Sequence, residues 1–184
     1  KTQTNLLSVL NNGTFMKLQE DYKVNAVFAI AVTIIESGGG TAWSAISPST
    51  YNWMSMTGSY QGKTYKNPNS SNPRTWRVYP SFDAATLDFG DQIANNPYYF
   101  KMDRYTVKQI APTYCDVRWG EAVVSEMTKI YNAMGVTVDE FSTVGPAQLG
   151  EAARIKGQEE RIAWLYDGQG LPTSKAVNDQ YLET

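Results

Sequence analysis

One glutamate, Glu36, stands where a proton donor could be built. It follows directly on an apolar run, Val24–Ile35, and precedes Ser37 and three glycines. An apolar stretch of this length favours a helix buried on every side, with a buried strand as the competing interpretation. At the C-terminal end of such a helix, desolvation and the helix dipole both raise the pKa of a carboxyl group. A carboxyl still protonated near neutral pH can donate a proton to a glycosidic oxygen.

Position alone leaves a second interpretation of Glu36 open. The residue could be the first solvated position after a core helix, with the glycines serving as a C-cap. The glycines do not predict a phosphate-binding loop, because they follow a helix instead of opening one.

Residues 37–82 combine basic and aromatic side chains without any Asp or Glu. Four basic and no acidic residues give this stretch a charge of +4, in a chain whose net charge is -2. Aromatic faces stack on sugar rings, and basic groups suit a polymer that bears carboxylates, such as peptidoglycan. The predicted sugar-binding aromatics are Trp43, Tyr51, Trp53, Tyr60, Tyr65, Trp76 and Tyr79. The alternative is a small aromatic core, in which Tyr79 in particular would be a buried anchor.

The lack of acids also bears on mechanism, because most glycosidases use two carboxylates. A second one cannot come from residues 37–82. The remaining candidates are Asp83, Asp88, Asp91, Asp103 and Asp116. We favour a route in which the N-acetyl group of the substrate attacks the anomeric carbon, with Asp116 as the runner-up.

Composition excludes several other kinds of site. The chain has no histidine, which removes Ser-His-Asp and Cys-His triads and the usual histidine-based zinc sites. We therefore expect no cofactor and no metal. One cysteine allows no internal disulfide, and the small net charge gives no pull toward nucleic acid. No segment approaches the roughly 18 apolar residues that a membrane span requires.

The elements that must position these residues are mostly helices. Helical patterns cover about 3–22, with a break at Asn11–Gly13, and 24–35. They resume at about 82–93, 107–110 and 118–134. Between them we predict loops and a short hairpin around Tyr60–Lys63. The fold class is therefore mainly α, with a small β-containing lobe.

Four segments resemble motifs of one known family, the glucosaminidases of glycoside hydrolase family 73 in the lysozyme-like superfamily. Glu36–Thr41 is similar to the family's Glu-Ser-Gly-x-Gly-Ser/Thr signature, whose glutamate is the general acid. The others are Asn52–Gly58, similar to Asn-Leu-Phe-Gly-Ile-Lys-Gly, Trp76–Ser81 followed by Asp88-Phe89, and Tyr114–Trp119, which resembles Tyr-Ala-Thr-Asp-Pro-x-Tyr. The match covers roughly residues 15–134.

The resemblance implies a lysozyme-like helical domain, with the active-site cleft between the helices and the β-containing lobe. It implies that Glu36 is the general acid, that Tyr114 holds the N-acetyl group or a water, and that Asn52 belongs to the substrate-binding loop. The sequence also departs from the family pattern. Gly39 replaces a usual tryptophan, Ser55 replaces a glycine, and the tyrosine segment is one residue shorter.

Residues 1–140 are predicted to form the hydrolase domain. Residues 141–184 lie outside the resemblance, and they are predicted to be a C-terminal helical extension or a connector between modules. A helix is expected at about 147–166, and a short one from Ser174. The connector interpretation implies that the natural chain carries a fused peptidase or wall-binding module.

These features together predict an endo-β-N-acetylglucosaminidase that acts on peptidoglycan glycan strands, outside the cell or at its wall. A muramidase or a lytic transglycosylase acting on the same polymer is the nearest alternative. A non-catalytic wall-binding module is an alternative of a different class.

Overall fold

Helices dominate the computed structural model, which describes residues 4–40, 50–66, 68, 71, 73–135 and 143. Within these residues the helices are α1 (Thr4–Asn11), α2 (Thr14–Tyr22), α3 (Ala26–Ser37), α4 (Phe82–Asn95), α5 (Val107–Tyr114) and α6 (Val117–Ala133). A 3-10 turn, Phe100–Met102, follows α4. The strands are β1 (Thr64–Tyr65) and β2 (Trp76–Arg77), which pair antiparallel.

Helix α3 lies in the centre of the core. Every residue from Ala26 to Thr33 is buried, and the helix packs against α2, α4 and α6. It begins after Asn25, whose side chain caps the first turn by accepting hydrogen bonds from two backbone N–H groups. It ends at Gly38, which has a φ of +57°. The structure confirms the predicted buried helix and carries it through Ser37, so that the last turn contains Glu36.

The remaining helical predictions hold with shifts at their ends. Gly13, with a φ of +69°, separates α1 from α2, as the predicted break required. Helix α5 is longer than predicted, because it continues through Pro112 to Tyr114. Pro112 lies beyond the first turn of this helix, so its missing N–H removes one intrahelical hydrogen bond.

Two glycines let neighbouring helices approach closely. A Cβ on Gly120 of α6 would lie 2.6 Å from the Cβ of Ala111 on α5. A Cβ on Gly90 of α4 would lie 2.7 Å from a ring carbon of Tyr22, at the end of α2. Any side chain at these positions would force the helices apart. The first of these contacts sets how close the end of α5 lies to the start of α6.

The β-containing lobe is built around a tight turn. Tyr60 and Lys63 exchange backbone hydrogen bonds of 3.1 and 2.9 Å, and Gln61 and Gly62 between them have φ values of +48° and +78°. Two positive φ values are typical of the turn that joins antiparallel strands with two residues. The tight turn lies where it was predicted, but it leads into β1 and does not join β1 to β2, the two strands that pair. Across the short sheet, Thr64 pairs with Arg77 and Tyr65 with Trp76.

The backbone of Thr143 is bound to the helical body. Its N–H donates to the carbonyl of Tyr105 at 2.8 Å, and its carbonyl accepts from the N–H of Asn25 at 2.8 Å. The residue is fully buried. The helices predicted at 147–166 and from Ser174 lie outside the described residues. Within the described ones, no helix has both the length and the apolar character to cross a membrane.

Candidate active site

Glu36 lies in the last turn of α3 and is half-buried. The indole Nε1–H of Trp119 donates a hydrogen bond to its Oε1 at 2.7 Å, and the side chain of Ser55 makes a second hydrogen bond to the carboxyl group. Desolvation raises the pKa of Glu36 above its ordinary value, and the two hydrogen bonds oppose that rise without cancelling it. The geometry therefore builds a carboxyl group that favours its protonated form.

Tyr114 ends α5 and lies beside this carboxyl group. Its ring stacks on that of Trp119, with centroids 4.6 Å apart and planes 21° from parallel. Its hydroxyl donates to the backbone carbonyl of Met54. Burial and, next in weight, the nearby Glu36 raise the pKa of Tyr114 well above its ordinary value. The phenol stays neutral, and its oxygen keeps lone-pair capacity to accept a further hydrogen bond.

Asp116 is the N-cap of α6. Its Oδ1 accepts from the backbone N–H of Trp119 at 2.8 Å, and the residue is exposed. This capping bond holds the first turn of α6, from which the Trp119 indole reaches Glu36. Asp116 therefore helps to place the Trp119 indole that donates to Glu36. This capping role is independent of any action of the Asp116 carboxylate on substrate.

Asn52, which the resemblance assigns to the substrate-binding loop, has a buried side chain that bonds to the backbone of this loop and of β2. Its side chain is buried and donates to the carbonyls of Met56 at 2.7 Å and Arg77 at 3.0 Å. It also accepts from the N–H of Met56 at 2.8 Å. All of these hydrogen bonds of the Asn52 amide hold the loop that carries Ser55. Asn52 therefore contributes to the site by fixing the conformation of that loop.

Trp53 and Tyr79, which were also predicted to bind substrate, are buried in the structure. Trp53 is fully buried, and its ring packs 4.6 Å from that of Phe82 and 6.2 Å from that of Phe15. No face of the indole is open to a sugar. Tyr79 is buried too, and its hydroxyl donates to Asp88 Oδ2 at 2.6 Å. It is the buried anchor that the sequence analysis offered as the alternative.

The other predicted sugar-binding aromatics keep accessible surface. Tyr51 is 38% exposed and packs edge-on against Phe82. Trp76 and Tyr65 are half-buried cross-strand neighbours on β2 and β1. Tyr60 is half-buried as well, with its ring 4.7 Å from that of Tyr79. Trp43 lies outside the described residues. The substrate-binding role of the accessible four stays a prediction.

Contacts of Ser55 and Trp119 with Glu36 were not predicted from the sequence. A signal for each was present, since Ser55 is a departure from the family's glycine, and Trp119 closes the fourth motif where the family has a tyrosine. Neither feature of the sequence predicts that the side chain of Ser55 or of Trp119 contacts Glu36. Within the described residues, no group of three or more His, Cys, Asp or Glu side chains is placed to hold a metal ion.

Several solved structures are similar to this one. The glycoside hydrolase domain of FlgJ from Salmonella typhimurium has a TM-score of 0.54 at 18% identity, over 73% of this chain and 91% of that one. The catalytic domain of the autolysin Auto from Listeria monocytogenes has a TM-score of 0.53 at 21% identity, over 71% and 84%. A peptidoglycan hydrolase from Sphingomonas sp. A1 has a TM-score of 0.52 at 18% identity, over 68% and 86%. These likenesses confirm the predicted lysozyme-like fold.

No curated protein matches the sequence. The sequence profile of the glucosaminidase family, described as mannosyl-glycoprotein endo-beta-N-acetylglucosaminidase, matches residues 12–132. That range spans well over half of the 184 residues and includes Glu36, Ser55, Tyr114 and Trp119. The chain therefore belongs to the glucosaminidase family of glycoside hydrolases.

Proposed function

We propose that this protein is an endo-β-N-acetylglucosaminidase that cleaves the glycan strands of peptidoglycan, with Glu36 as the general acid. The observation that carries the proposal is the half-buried carboxyl group of Glu36, whose pKa is raised by desolvation while two side chains hold it in place. An acid of this kind can protonate the glycosidic oxygen as the bond to the anomeric carbon breaks.

The second catalytic group is the N-acetyl group of the substrate. Its carbonyl oxygen attacks the anomeric carbon as the leaving sugar accepts the proton of Glu36. Water then opens the resulting cyclic intermediate and returns a proton to Glu36. Tyr114 supports this route, because its hydroxyl proton is directed to Met54 and its oxygen remains able to accept the N–H of the acetamido group. Asp116 is the alternative second group.

Peptidoglycan is the proposed substrate because of the charge of residues 37–82 and the descriptions of two similar solved structures. Residues 37–82 carry four basic and no acidic side chains, which suits the lactyl and peptide carboxylates of peptidoglycan. The neighbour from Sphingomonas sp. A1 is a peptidoglycan hydrolase by its description, and that from Listeria monocytogenes is an autolysin. A protein acting on this polymer works outside the cell or at its wall. A fused peptidase or wall-binding module would place it there.

Digestion of purified peptidoglycan, with masses measured for the released fragments, tests the proposal. We expect products with reducing N-acetylglucosamine ends, and a loss of about 10²-fold or more in rate for Glu36→Gln. Reducing N-acetylmuramic ends would identify a muramidase, and anhydro-muramic ends a lytic transglycosylase. Binding to walls without release of fragments would identify a non-catalytic module. Unchanged lysis by Glu36→Gln would remove the residue from its role.

A further inference from the structure

Ser55 combines a strained backbone with a contact to the acid. Its φ is +54°, in the left-handed region that a non-glycine residue adopts at a cost. The family loop that it resembles has a glycine at this position, which would adopt the same conformation freely. In this chain a serine is kept there, and its side chain hydrogen-bonds Glu36. Strain that persists beside a reacting group points to a function for the side chain.

Trp119 also contacts this carboxyl group, through a hydrogen bond of 2.7 Å to Oε1. An indole N–H can only donate, so Oε1 of Glu36 must accept. When Glu36 is protonated, its carbonyl-type oxygen is the better acceptor, which leaves the proton on Oε2. The indole itself is fixed by its stacking on Tyr114 and by the Asp116 cap of its helix.

We propose that Ser55 and Trp119 are positioning residues that hold the carboxyl group of Glu36 so that Oε2 presents the proton to the glycosidic oxygen. This inference rests on the proposed role of Glu36 and extends it to two residues of this chain. Both hydrogen bonds also favour the carboxylate over the acid, so they limit how far burial raises the pKa of Glu36.

The ionisable groups around Glu36 come from three elements. Tyr114 and Cys115, at the end of α5, are both close enough for the charge of Glu36 to raise their pKa values. Asp116 at the start of α6 and Arg74 of the lobe act on Cys115 in turn, with opposite signs. The pH dependence of the cleavage rate must therefore be assigned to Glu36 by a measurement that reports its ionisation directly.

Substitution of Ser55 by glycine tests the hydroxyl, because glycine adopts the positive φ of this position freely. Ser55→Gly removes the strain and the hydroxyl together. We expect kcat on soluble glycan fragments to fall about tenfold, with KM nearly unchanged. The alkaline limb of the pH–rate profile should move up by on the order of one pH unit. Gln61→Gly is the matched control, because Gln61 has a φ of +48° in the exposed Tyr60–Lys63 turn. It should change the melting temperature alone.

The indole N–H resonance of Trp119 reports the ionisation of Glu36 without any activity measurement. It is assigned by its loss in Trp119→Phe. In the native protein it should titrate with a midpoint above the ordinary pKa of glutamate, and it should not titrate in Glu36→Gln. In Ser55→Gly the midpoint should rise in step with the alkaline limb.

An unchanged midpoint and an unchanged pH limb in Ser55→Gly would overturn the role of Ser55. A Trp119 resonance that is insensitive to Glu36→Gln would overturn the role of Trp119. Either result could occur while Glu36→Gln still abolishes glycan cleavage, so this inference can fail while the proposed function stands. Retained cleavage in Glu36→Gln would instead defeat the proposed function, whatever the resonance does.

Discussion

Glu36 is subject to two opposing influences on its ionisation. Burial at the end of α3 disfavours the anion, whereas hydrogen bonds from Ser55 and Trp119 favour it, and burial is the larger effect. The result suits a group that must lose and regain a proton in each catalytic cycle. An acid without those donors would hold its proton too tightly, and a fully solvated one would lose it at neutral pH.

The raised pKa of Glu36 predicts a pH-dependent gain in stability for Glu36→Gln. The folded protein holds this proton more tightly than the unfolded chain, so ionisation weakens the fold as pH rises through the folded-state pKa. Below the unfolded pKa both residues are neutral and the variant should gain nothing from this source. Melting temperatures measured across pH should show a difference in favour of the variant that grows with pH and then levels off.

Glu20→Gln, on the exposed surface of α2, controls for the loss of one negative charge. A stability difference between wild type and Glu36→Gln that stays constant across pH would mean that Glu36 ionises no differently in the folded and unfolded states. The desolvation argument for the general acid would then lose its basis.

The junction between α5 and α6 is the element that assembles the site. Tyr114 ends one helix and Asp116 caps the next, so the chain turns sharply at Cys115. Gly120 lets the two helices approach, and that close packing accompanies the stacking of Tyr114 on Trp119. The half-buried ion pair of Arg77 with Asp88 ties the β-containing lobe to α4.

Two substitutions of Asp116 separate its capping role from a catalytic one. Asparagine caps a helix about as well as aspartate but has no charge. Alanine neither caps the helix nor carries a charge. We expect Asp116→Ala to lose roughly 1 kcal/mol of stability and Asp116→Asn to lose little. If the substrate supplies the second catalytic group, Asp116→Asn should retain most of the glycan-cleaving rate.

Denaturant unfolding and rates on peptidoglycan would be measured for both Asp116 variants. A loss of 10²-fold or more in rate for Asp116→Asn at unchanged stability would show that the charge itself is needed. Asp116 would then become the second carboxylate, and the substrate-assisted route would have to be abandoned.

At the scale of the whole molecule, the helical body includes chain beyond the predicted domain end at residue 140. Thr143 is fully buried and bridges the backbones of Asn25 and Tyr105. Asn25 caps α3, and Tyr105 directly precedes the cap of α5, so this bridge links two helices that carry Glu36 and Tyr114. We propose that the hydrolase domain extends past Thr143 and that any connector begins after it.

A chain ending at residue 146 should therefore be more stable than one ending at 138. The shorter chain loses two backbone hydrogen bonds and a buried side chain, which together are worth about 1–3 kcal/mol. In a domain of this size the melting temperature should drop by several degrees. Equal melting temperatures for the two chains would instead support the predicted end of the hydrolase domain at residue 140.

The sequence alone was enough to predict the helical framework and the candidate acid. The run Val24–Ile35 is apolar except for Asn25 and Thr33, which predicts a buried helix with Glu36 at its C-terminal end. The structure shifts that end only to Ser37. Composition was enough to identify residues 37–82 as a basic and aromatic lobe. Both features are local, because neighbours along the chain decide them.

Which side chains of the lobe face inward depends on how the folded chain packs in three dimensions. Irregular loops have no periodicity from which orientation can be read, so Asn52, Trp53 and Tyr79 resembled sugar-binding residues until their burial was seen. The partners of Glu36 are long-range contacts, with Trp119 lying 83 positions away along the chain. Contacts of that separation depend on how α3 and α6 pack, and no local pattern in the sequence encodes them.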